Sequence, residues 1–394
     1  MDALIILFWL FLFIVFYTFL GYGILLCCLV KVKELIMKPK NYQLEGELPD
    51  VTLFITAFNE QDIVDEKMKN CLSLDYPQDK LHIVWVTDGS NDSTNEKLSH
   101  WKEATVYFQP ERRGKMNAMD RGVKLVKTPY IIFTDANTTL NSGAIKEIIR
   151  CFNNPKVGCV AGEKRIVSTE KQDAAQGGEG IYWKYESLLK SYDDRLYSAV
   201  GAAGELFAVR RELYQEVESD TLLDDFILSL RIVMKGYKIA YCKEAYAVEG
   251  GSADMAEEEK RKVRIAAGGL QSIWRLRPLL NPFKYGVFNF QYVSHRVLRW
   301  SITPFLMFAL LPLNIAILVL CPTSVLYWII LVLQIFFYLM GWMGYIFQKH
   351  QLKIKIFFIP YYFLFMNINV FKGIAYLSSY KGGGTWAKSN RRSI

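Results

Sequence analysis

Residues 130–137 read Tyr-Ile-Ile-Phe-Thr-Asp-Ala-Asn, and this stretch decides the fold. Its apolar and β-favouring residues are typical of a buried central strand, which ends here in polar side chains. In open α/β sheets, ligands bind just beyond the carboxyl ends of such strands. Asp135 in that position is suited to hold a divalent cation, and the cation to hold a diphosphate. The alternative is a structural Asp135 that caps the next helix or forms an Asx turn.

The same kind of strand recurs on both sides of this stretch, with helical patterns in between. Further strands are predicted at residues 51–56, 81–86, 105–108, 157–162 and 237–241, and residues 201–211 are glycine-rich and then strand-like. Short loops between alternating strands and helices predict an α/β fold with a mostly parallel, doubly wound sheet. No G-x-G-x-x-G motif follows the first strand, which disfavours a dinucleotide-binding fold.

Acidic side chains follow three of the predicted strands at one edge of the sheet: Glu60, Asp88 and Asp135. Solubilising loops explain one or two such residues, but three at one edge predict a binding site. Asp88 and Glu60 are suited to accept hydrogen bonds from a ribose or a base. Arg113 and Lys115 lie near the same edge and are suited to form ion pairs with phosphate groups. A solvated helix start is the alternative for these two cations, although a cation there opposes the helix dipole.

Two adjacent carboxylates, Asp224 and Asp225, open a predicted helix over residues 227–235. The helix dipole favours acids in a first turn, so a structural role alone explains them. Their setting among apolar residues instead predicts a general base. Gly204 belongs to the glycine-rich segment, where small residues either let the backbone approach a ligand or form an ordinary tight loop.

The composition fits one large α/β domain plus membrane segments, because 52% of the 394 residues are hydrophobic. The net charge of +8 is mild and diffuse, with no basic run of the kind that binds nucleic acid. The seven cysteines form no CxxC pair and adjoin no histidine cluster, which indicates reduced thiols rather than disulfides or zinc ligands. The α/β domain is therefore expected in a reducing compartment.

The amino-terminal run over residues 3–30 contains no charge and is long enough to cross a bilayer, which takes about 20 apolar residues. Lys31 and Lys33 follow directly, which by the positive-inside rule places this end in the cytoplasm. A cleaved signal peptide is the alternative. Against it, the run is too long, Asp2 precedes it, and no small-x-small site ends it.

The carboxyl-terminal part is again apolar. Residues 303–320 and 325–347 are predicted to form two spans, an out-and-back hairpin from a cytoplasmic domain. Residues 356–380 either cross the membrane as a third span or form a re-entrant or interfacial segment. Before these, residues 256–300 combine dense charge with aromatic side chains, and a helix over residues 264–277 is predicted to lie at the membrane surface.

Five motifs follow one another along the chain, and together they closely resemble those of the family 2 glycosyltransferases. The motifs are Asn59-Glu60, Asp88-Gly89-Ser90-x-Asp92-x-Thr94, Arg113-Gly114-Lys115, Asp135-x-Asn137 and Asp224-Asp225. The resemblance implies an inverting, metal-dependent enzyme with a GT-A fold. It covers about residues 50–300 and extends loosely to the membrane part, which is similar to that of cellulose, hyaluronan and poly-N-acetylglucosamine synthases.

The resemblance also implies how the donor is bound. Asp88 and Gly89 match the motif that binds the nucleotide. Asn59 and Glu60 match contacts to the base or ribose, and Lys115 matches a contact on the nucleotide side.

The resemblance also implies a metal site and a catalytic base. Asp135 resembles the first acid of the DxD motif, which binds Mg²⁺ or Mn²⁺ on the diphosphate of the nucleotide-sugar. Asn137 stands where the second acid is usual, and its amide oxygen can still ligate such a cation without adding charge. Asp225, preceded by Asp224 rather than by the usual Glu, resembles the catalytic base.

One motif of the processive synthases, Gln-x-x-Arg-Trp near the acceptor, is only partly matched. The corresponding residues are Arg261-Lys262-Val263-Arg264-Ile265, of which Arg264 alone fits. Arg264 and Gly204 are therefore expected near the acceptor or the diphosphate, and a lipid contact is the alternative for Arg264. The missing Gln and Trp argue against polymerisation but not against sugar transfer.

The implied function is inverting transfer of a sugar from a nucleotide-sugar, first of all a UDP-sugar, to a glycan or lipid-linked acceptor. The protein is expected to be integral to the inner or plasma membrane, with its catalytic domain in the cytoplasm and a role in cell-surface polysaccharide synthesis. One alternative is a polyprenyl-phosphate monoglycosyltransferase. An alternative of another class is a non-catalytic membrane scaffold with a transferase-like domain. Membrane lipids are expected partners and nucleic acid is not, whereas the sequence leaves the oligomeric state open.

The expected domain order follows from these features. It is a transmembrane helix at residues 1–30, a basic linker at 31–50, the GT-A domain at 51–255, an interfacial amphipathic segment at 256–300, a membrane region at 301–380 and a basic tail at 381–394.

Overall fold

The computed structural model describes residues 1–38, 42–44, 46–167, 174–252, 254–350, 352, 354–380 and 382, without the side chains of residues 167 and 174–182. The predicted basic tail lies outside the described residues, apart from Gly382. The chain divides into two compact units. The helical unit comprises the described residues within Met1–Leu29, Ser168–Tyr182 and Ser252–Ser379, and the α/β unit comprises those within Val30–Val167, Trp183–Gly251 and Tyr380–Ile394.

The described part of the α/β unit contains one sheet of eight strands in the order β3-β2-β1-β4-β7-β6-β8-β5. The strands are β1 Val51–Ala57, β2 Leu81–Asp88, β3 Ala104–Gln109, β4 Tyr130–Asp135, β5 Thr139–Leu140, β6 Val157–Val167, β7 Leu206–Arg210 and β8 Lys238–Gly250. β1 runs parallel to β2 and β4, β2 to β3, and β6 to β8. β7 runs antiparallel to β4 and β6, and β5 to β8. This mostly parallel mixed sheet confirms the predicted α/β fold class.

The helices of the described residues account for most of the remaining chain. They are α1 Asp2–Phe16, α2 Tyr22–Ile36, α3 Val64–Leu72, α4 Thr94–Ser99, α5 Lys115–Val123, α6 Ala144–Phe152, α7 Ala174–Leu196, α8 Asp224–Met234, α9 Met255–Arg275, α10 Pro282–Tyr292, α11 Leu298–Trp300, α12 Ile302–Leu320, α13 Val325–Lys349 and α14 Lys355–Ser379. Short 3-10 turns lie at Arg211–Leu213 and Arg277–Leu280, and π-helical turns at Tyr17–Gly21 and Val293–Val297.

The central strand β4 has the buried, apolar character that its sequence predicts. Ile131 and Ile132 are fully buried, and β4 lies inside the sheet between β1 and β7. The register sets Thr56 of β1 opposite Asp135, and Ala57 opposite Thr87 of β2. β1, β2 and β4 therefore end level with one another, which brings the loops after them to one edge of the sheet.

Several elements differ in extent or direction from the sequence-based expectation. β6 and β8 continue past residues 162 and 241, and they pair from Val157 and Lys238 to Val167 and Gly250, with register shifts at Gly158 and after Gly162. The strand-like part of the glycine-rich segment forms β7, which inserts antiparallel between β4 and β6. Hydrophobic patterning shows that a strand is buried but not which way its chain runs. The antiparallel direction of β7 could therefore not be predicted.

In the part of the chain that the structure describes, four helices are long and apolar enough to cross a membrane: Asp2–Ile36, which joins α1 and α2, together with α12, α13 and α14. The spans expected at residues 303–320 and 325–347 correspond to α12 and α13. The segment at residues 356–380, for which a third span and a re-entrant segment were both considered, forms the single continuous helix α14.

α9 begins earlier than the helix predicted at residues 264–277. Asp254 caps its N-terminus by accepting hydrogen bonds from the backbone N–H groups of residues 256 and 257. Three of the charged residues in its first turns, Glu258, Arg261 and Lys262, are buried, and Lys262 Nζ lies 3.2 Å from Oε1 of Glu258. The Tyr362 hydroxyl donates to the same oxygen. Dense charge looked like a surface segment, whereas ion pairing allows these groups to be buried.

Candidate functional site

The carboxylate of Asp135 lies at the end of β4 and forms an ion pair with Lys115, whose Nζ is 2.9 Å from Oδ1. The same ammonium lies 3.9 Å from Oδ2 of Asp224. That Asp224 oxygen is buried and has no hydrogen-bond partner among the described residues. One cation therefore joins the predicted metal-binding acid to the predicted catalytic pair.

Lys115 occupies a position that is unfavourable for a cation unless acids surround it. It is the first residue of α5, where the helix dipole opposes positive charge. Burial opposes the charge as well, but the carboxylates of Asp135, Asp224 and Asp225 outweigh burial and raise the pKa of Lys115 above its ordinary value. The edge of the sheet thus carries enough negative charge to hold a cation.

Asp88 is buried at the end of β2 and binds the loop that precedes α5. The backbone N–H of Arg113 donates to both carboxylate oxygens at 3.1 Å, and that of Gly114 donates to Oδ2 at 2.6 Å. Gly89 and Gly114 have φ angles of +69° and +91°. A Cβ on Gly89 would lie 2.7 Å from a backbone nitrogen of this loop, so only glycine permits the contact. Asp88 thereby sets where Lys115 lies.

Asn59 and Glu60 lie in the loop after β1, at the same edge. Asn59 has a positive φ of 53°, and its side-chain Nδ2 donates to Oδ1 of Asn91 at 2.8 Å. The backbone N–H of Asn91 donates in return to Oδ1 of Asn59 at 3.0 Å. The backbone N–H of Glu60 donates to Oγ1 of Thr94 at 2.8 Å. These contacts join the loops that follow β1 and β2 into one polar rim.

Asp225 lies in the first turn of α8, close to Gly204. A Cβ on Gly204 would be 3.4 Å from Oδ2 of Asp225 and 3.6 Å from Nζ of Lys115. Gly204 therefore leaves room for a substrate to approach both groups. Burial raises the pKa of Asp225 to about 7, helped by the negative charge of Asp224 and partly offset by Lys115. A carboxyl group that titrates near neutral pH is suited to general base catalysis.

The end of β4 fits a divalent cation of the Mg²⁺ or Mn²⁺ kind. Asp135 offers a carboxylate that already pairs with a cation, and Asn137 offers a half-buried amide two residues later. Both are the hard oxygen ligands that these ions prefer. Among the described residues, no three His, Cys, Asp or Glu side chains cluster into a complete metal site. Oxygens from a diphosphate and from water would therefore complete the coordination.

The remaining predicted site residue lies in the other unit. Arg264 is part of α9, in the helical unit, so its contact with the acceptor or the diphosphate stays a prediction.

Sequence reasoning missed two features near the strand ends. Lys67 is buried beneath the loop that carries Asp135. Its spacing from Val64 and Cys71 on the buried face of α3 was a signal that could have found it. The guanidinium of Arg112 lies 3.7 Å above the ring centre of Phe58, a cation–π contact between the loops after β1 and β3.

A protein-family model described as "Glycosyltransferase like family 2" matches residues 49–268, more than half of the chain. The chain belongs to this family. A curated relative, the poly-beta-1,6-N-acetyl-D-glucosamine synthase of Staphylococcus aureus (strain MSSA476), is 28% identical over 239 residues, or 58% of this chain and 57% of that protein. The synthase of the same name from Staphylococcus epidermidis is 26% identical over 254 residues, or 62% of this chain and 59% of that protein. The match thus spans less than two thirds of each relative.

A solved structure extends the comparison to nearly the whole chain. The mannosyltransferase PcManGT from Pyrobaculum calidifontis, in complex with GDP-Man and Mn²⁺, has a TM-score of 0.69 and covers 95% of this chain and 99% of its own. At 19% identity this likeness shows the fold, which is GT-A-like. The chain thus carries a family 2 glycosyltransferase domain, and the four long apolar helices among its described residues, together with the related synthases, suggest a membrane protein.

Proposed function

We propose that this protein is an inverting glycosyltransferase that uses a nucleotide-sugar, most simply a UDP-sugar, and works at the cytoplasmic face of the inner or plasma membrane. The observation that carries the proposal is the chain of contacts from Asp135 through Lys115 to Asp224, next to Asp225 and Gly204. Asp135, which would hold the cation, and Asp225, a carboxyl group with a pKa of about 7, both lie near Lys115, an arrangement suited to transfer from a diphosphate donor.

Asp225 acts as the general base in this proposal. Its carboxylate accepts the proton of an acceptor hydroxyl while that oxygen bonds to the anomeric carbon of the donor sugar. The bond from the anomeric carbon to the diphosphate oxygen breaks, and the nucleoside diphosphate leaves with the bonding electrons. Attack from the face opposite the leaving group inverts the anomeric carbon. Asp224 keeps a second negative charge beside Asp225, which favours uptake of the proton.

Donor binding is assigned to the polar rim at the strand ends. Asn59, Glu60, Asp88 and Gly89 line the side where the nucleoside would lie, supported by the hydrogen bonds between these loops. Asp135 and Asn137 would hold Mg²⁺ or Mn²⁺, which when bound offsets the charge that develops on the departing diphosphate. Lys115 is near enough to add a second positive charge there.

The acceptor is proposed to be a growing glycan or a lipid-linked glycan. Support for a glycan comes from the relatives, which are named as synthases of a polysaccharide. A specific observation favours a second candidate, a single transfer to a polyprenyl phosphate. Around Arg264 the chain lacks the Gln and Trp that the processive synthases carry near the acceptor.

Nucleotide release by the purified full chain tests the proposal. The protein in detergent is incubated with a panel of UDP- and GDP-sugars and either Mg²⁺ or Mn²⁺. We expect metal-dependent release of nucleotide from one donor, and the size of the labelled product separates polymer from single transfer. Failure of every donor with both metals and with added polyprenyl phosphate or glycan acceptors would overturn the proposal.

A further inference from the structure

Lys67 is a buried cation that the proposed reaction does not yet use. It lies in the middle of α3 and is 2% exposed. Its helical neighbours on the buried face, Val64, Met68 and Cys71, are apolar and pack into the core of the α/β unit. A lysine in such a position loses its hydration, and burial lowers its pKa to about 8. An apolar side chain would fill the same space without this cost.

The contacts of Lys67 all lead to one short segment. Nζ donates to Oγ1 of Thr134 at 3.2 Å, to the backbone carbonyl oxygen of Thr138 at 2.6 Å and to Oγ1 of Thr138 at 3.3 Å. Thr134 is the residue before Asp135, and Thr138 is the residue after Asn137. The ammonium therefore binds both ends of the segment that carries the two proposed metal ligands.

Thr134 and Thr138 also contact each other and the backbone of Asp135, which makes a hydrogen-bond network. Their hydroxyl groups lie 2.9 Å apart, and Thr138 also donates to the backbone carbonyl oxygen of Asp135 at 2.8 Å. Thr134 and Thr138 are 3% and 2% exposed, so water cannot replace these bonds. Among the described residues, no carboxylate lies within ion-pair distance of Lys67, so its contacts are made to the segment rather than to a counter-ion.

We propose that Lys67 is a positioning residue that fixes the turn at residues 134–138 and thereby holds Asp135 and Asn137 in the arrangement that takes up the metal. The metal part rests on the proposed function, whereas the fixing of the turn does not. Electrostatics alone makes the opposite prediction, since a positive charge close to Asp135 repels a divalent cation. Loss of the ammonium should therefore weaken metal binding only if its hydrogen bonds to the turn matter more than its charge.

The experiment uses the full chain in detergent with three variants. Lys67→Met removes the ammonium and keeps a straight apolar side chain. Thr138→Val keeps the ammonium and removes one of its acceptors, which provides a milder variant if Lys67→Met folds poorly. Lys69→Met is the matched control, because Lys69 lies on the exposed face of the same helix.

Two quantities are measured for each variant: hydrogen exchange of peptides that cover residues 133–139, and the affinity for Mn²⁺ in the presence of UDP or GDP. We expect Lys67→Met to speed exchange in this turn and to weaken Mn²⁺ binding about 10- to 100-fold, the usual effect of losing a group that orients metal ligands. Thr138→Val should shift both in the same direction by less, and Lys69→Met should leave both unchanged.

The outcomes separate the two proposals. Unchanged exchange in the turn of Lys67→Met, or Mn²⁺ affinity that rises in that variant, would overturn the positioning role. If the unaltered protein takes up no Mn²⁺ with either nucleotide, the metal assignment fails, and hydrogen exchange alone decides whether Lys67 fixes the turn. If Lys67→Met changes neither exchange in the turn nor Mn²⁺ affinity, Lys67 is a purely structural lysine.

Discussion

The acids of the site stand in opposite electrostatic settings. Asp135 pairs directly with Lys115 at 2.9 Å. Asp225 is half-buried beside the second carboxylate of Asp224, which favours its protonated form. Environments that push neighbouring acids toward different charge states are how enzymes separate an ion-holding carboxylate from a base. On this ground we propose that Asp135 holds the metal and that Asp225 transfers the proton.

The raised pKa of Asp225 predicts how activity depends on pH. A general base works only when deprotonated, so kcat/KM should rise with pH and level off above about 7. Replacing Asp224 with Asn removes the neighbouring negative charge, which should move this rise to lower pH. The measurement is nucleotide release at low donor concentration between pH 5 and pH 9, an interval of about two units on either side of the expected midpoint. A flat profile, or the same midpoint in Asp224→Asn, would contradict the role of Asp225.

Sequence patterns revealed most of these side chains but not their partners. Asp88, Asp135 and Asp225 could be identified because each lies at the end of a strand or in the first turn of a helix. The contact between Lys115 and Asp224 could not be identified from the sequence, since these residues are far apart along the chain. Lys67 was missed because a lysine usually indicates a solvated position, although its spacing from Val64 and Cys71 places it on the buried face of α3.

At the level of elements, the loop between β3 and α5 depends on its bonds to Asp88. Gly89 is the critical position, because it combines a φ of +69° with a backbone nitrogen 2.7 Å from where a Cβ would be. If this loop moves, so do Arg113 and Lys115, and the donor side of the site changes shape. The position of Lys115, the first residue of α5, therefore depends on the position of β2.

Gly89→Ala should disturb both stability and donor binding. A left-handed backbone conformation costs a non-glycine residue roughly 1–2 kcal/mol, and the close contact adds to that. Because the loop is displaced, affinity for UDP or GDP should fall by about tenfold or more. Chemical denaturation and nucleotide titration provide the two measurements.

Gly236→Ala is the matched control for that change. Gly236 has a φ of +92°, but a Cβ there would meet no atom within 4 Å. This variant should lose stability from the backbone conformation alone and keep its nucleotide affinity. Equal nucleotide affinity in both variants would show that the loop does not depend on Gly89.

The sheet itself was largely predictable, and the exceptions have physical causes. Level strand ends follow from parallel pairing of β1, β2 and β4, which alternating strands and helices predict. The direction of β7 was not predictable, because a buried strand has the same pattern either way. The early start of α9 was missed since Glu258 and Lys262 form a buried ion pair, whereas charge in a sequence usually indicates a surface.

At the level of the whole molecule, the basic residues that flank the apolar helices predict the orientation of the chain in a membrane. Lys31 and Lys33 at the end of the first apolar run favour a cytoplasmic α/β unit. The short connection between α12 and α13, which contains Cys321, is then on the outer side.

Thiol labelling of intact cells tests this orientation. A membrane-impermeant maleimide should label Cys321 without lysis, because this cysteine lies between two spans. In the variant Ser99→Cys, the new thiol lies on the exposed side of α4 and should be labelled only after lysis. Peptide mass spectrometry locates the label. Labelling of residue 99 in intact cells would reverse the proposed orientation.

The central claim is that Asp225 removes a proton from the acceptor while other residues hold the donor. Its most direct test is the turnover of Asp225→Asn in the purified full chain, with the donor that the panel identifies. The amide keeps the size of the side chain but cannot accept the proton. We predict that transfer falls by about 10²–10⁴-fold, the usual contribution of a general base, while affinity for the donor is retained. Near-normal transfer by Asp225→Asn would contradict the account.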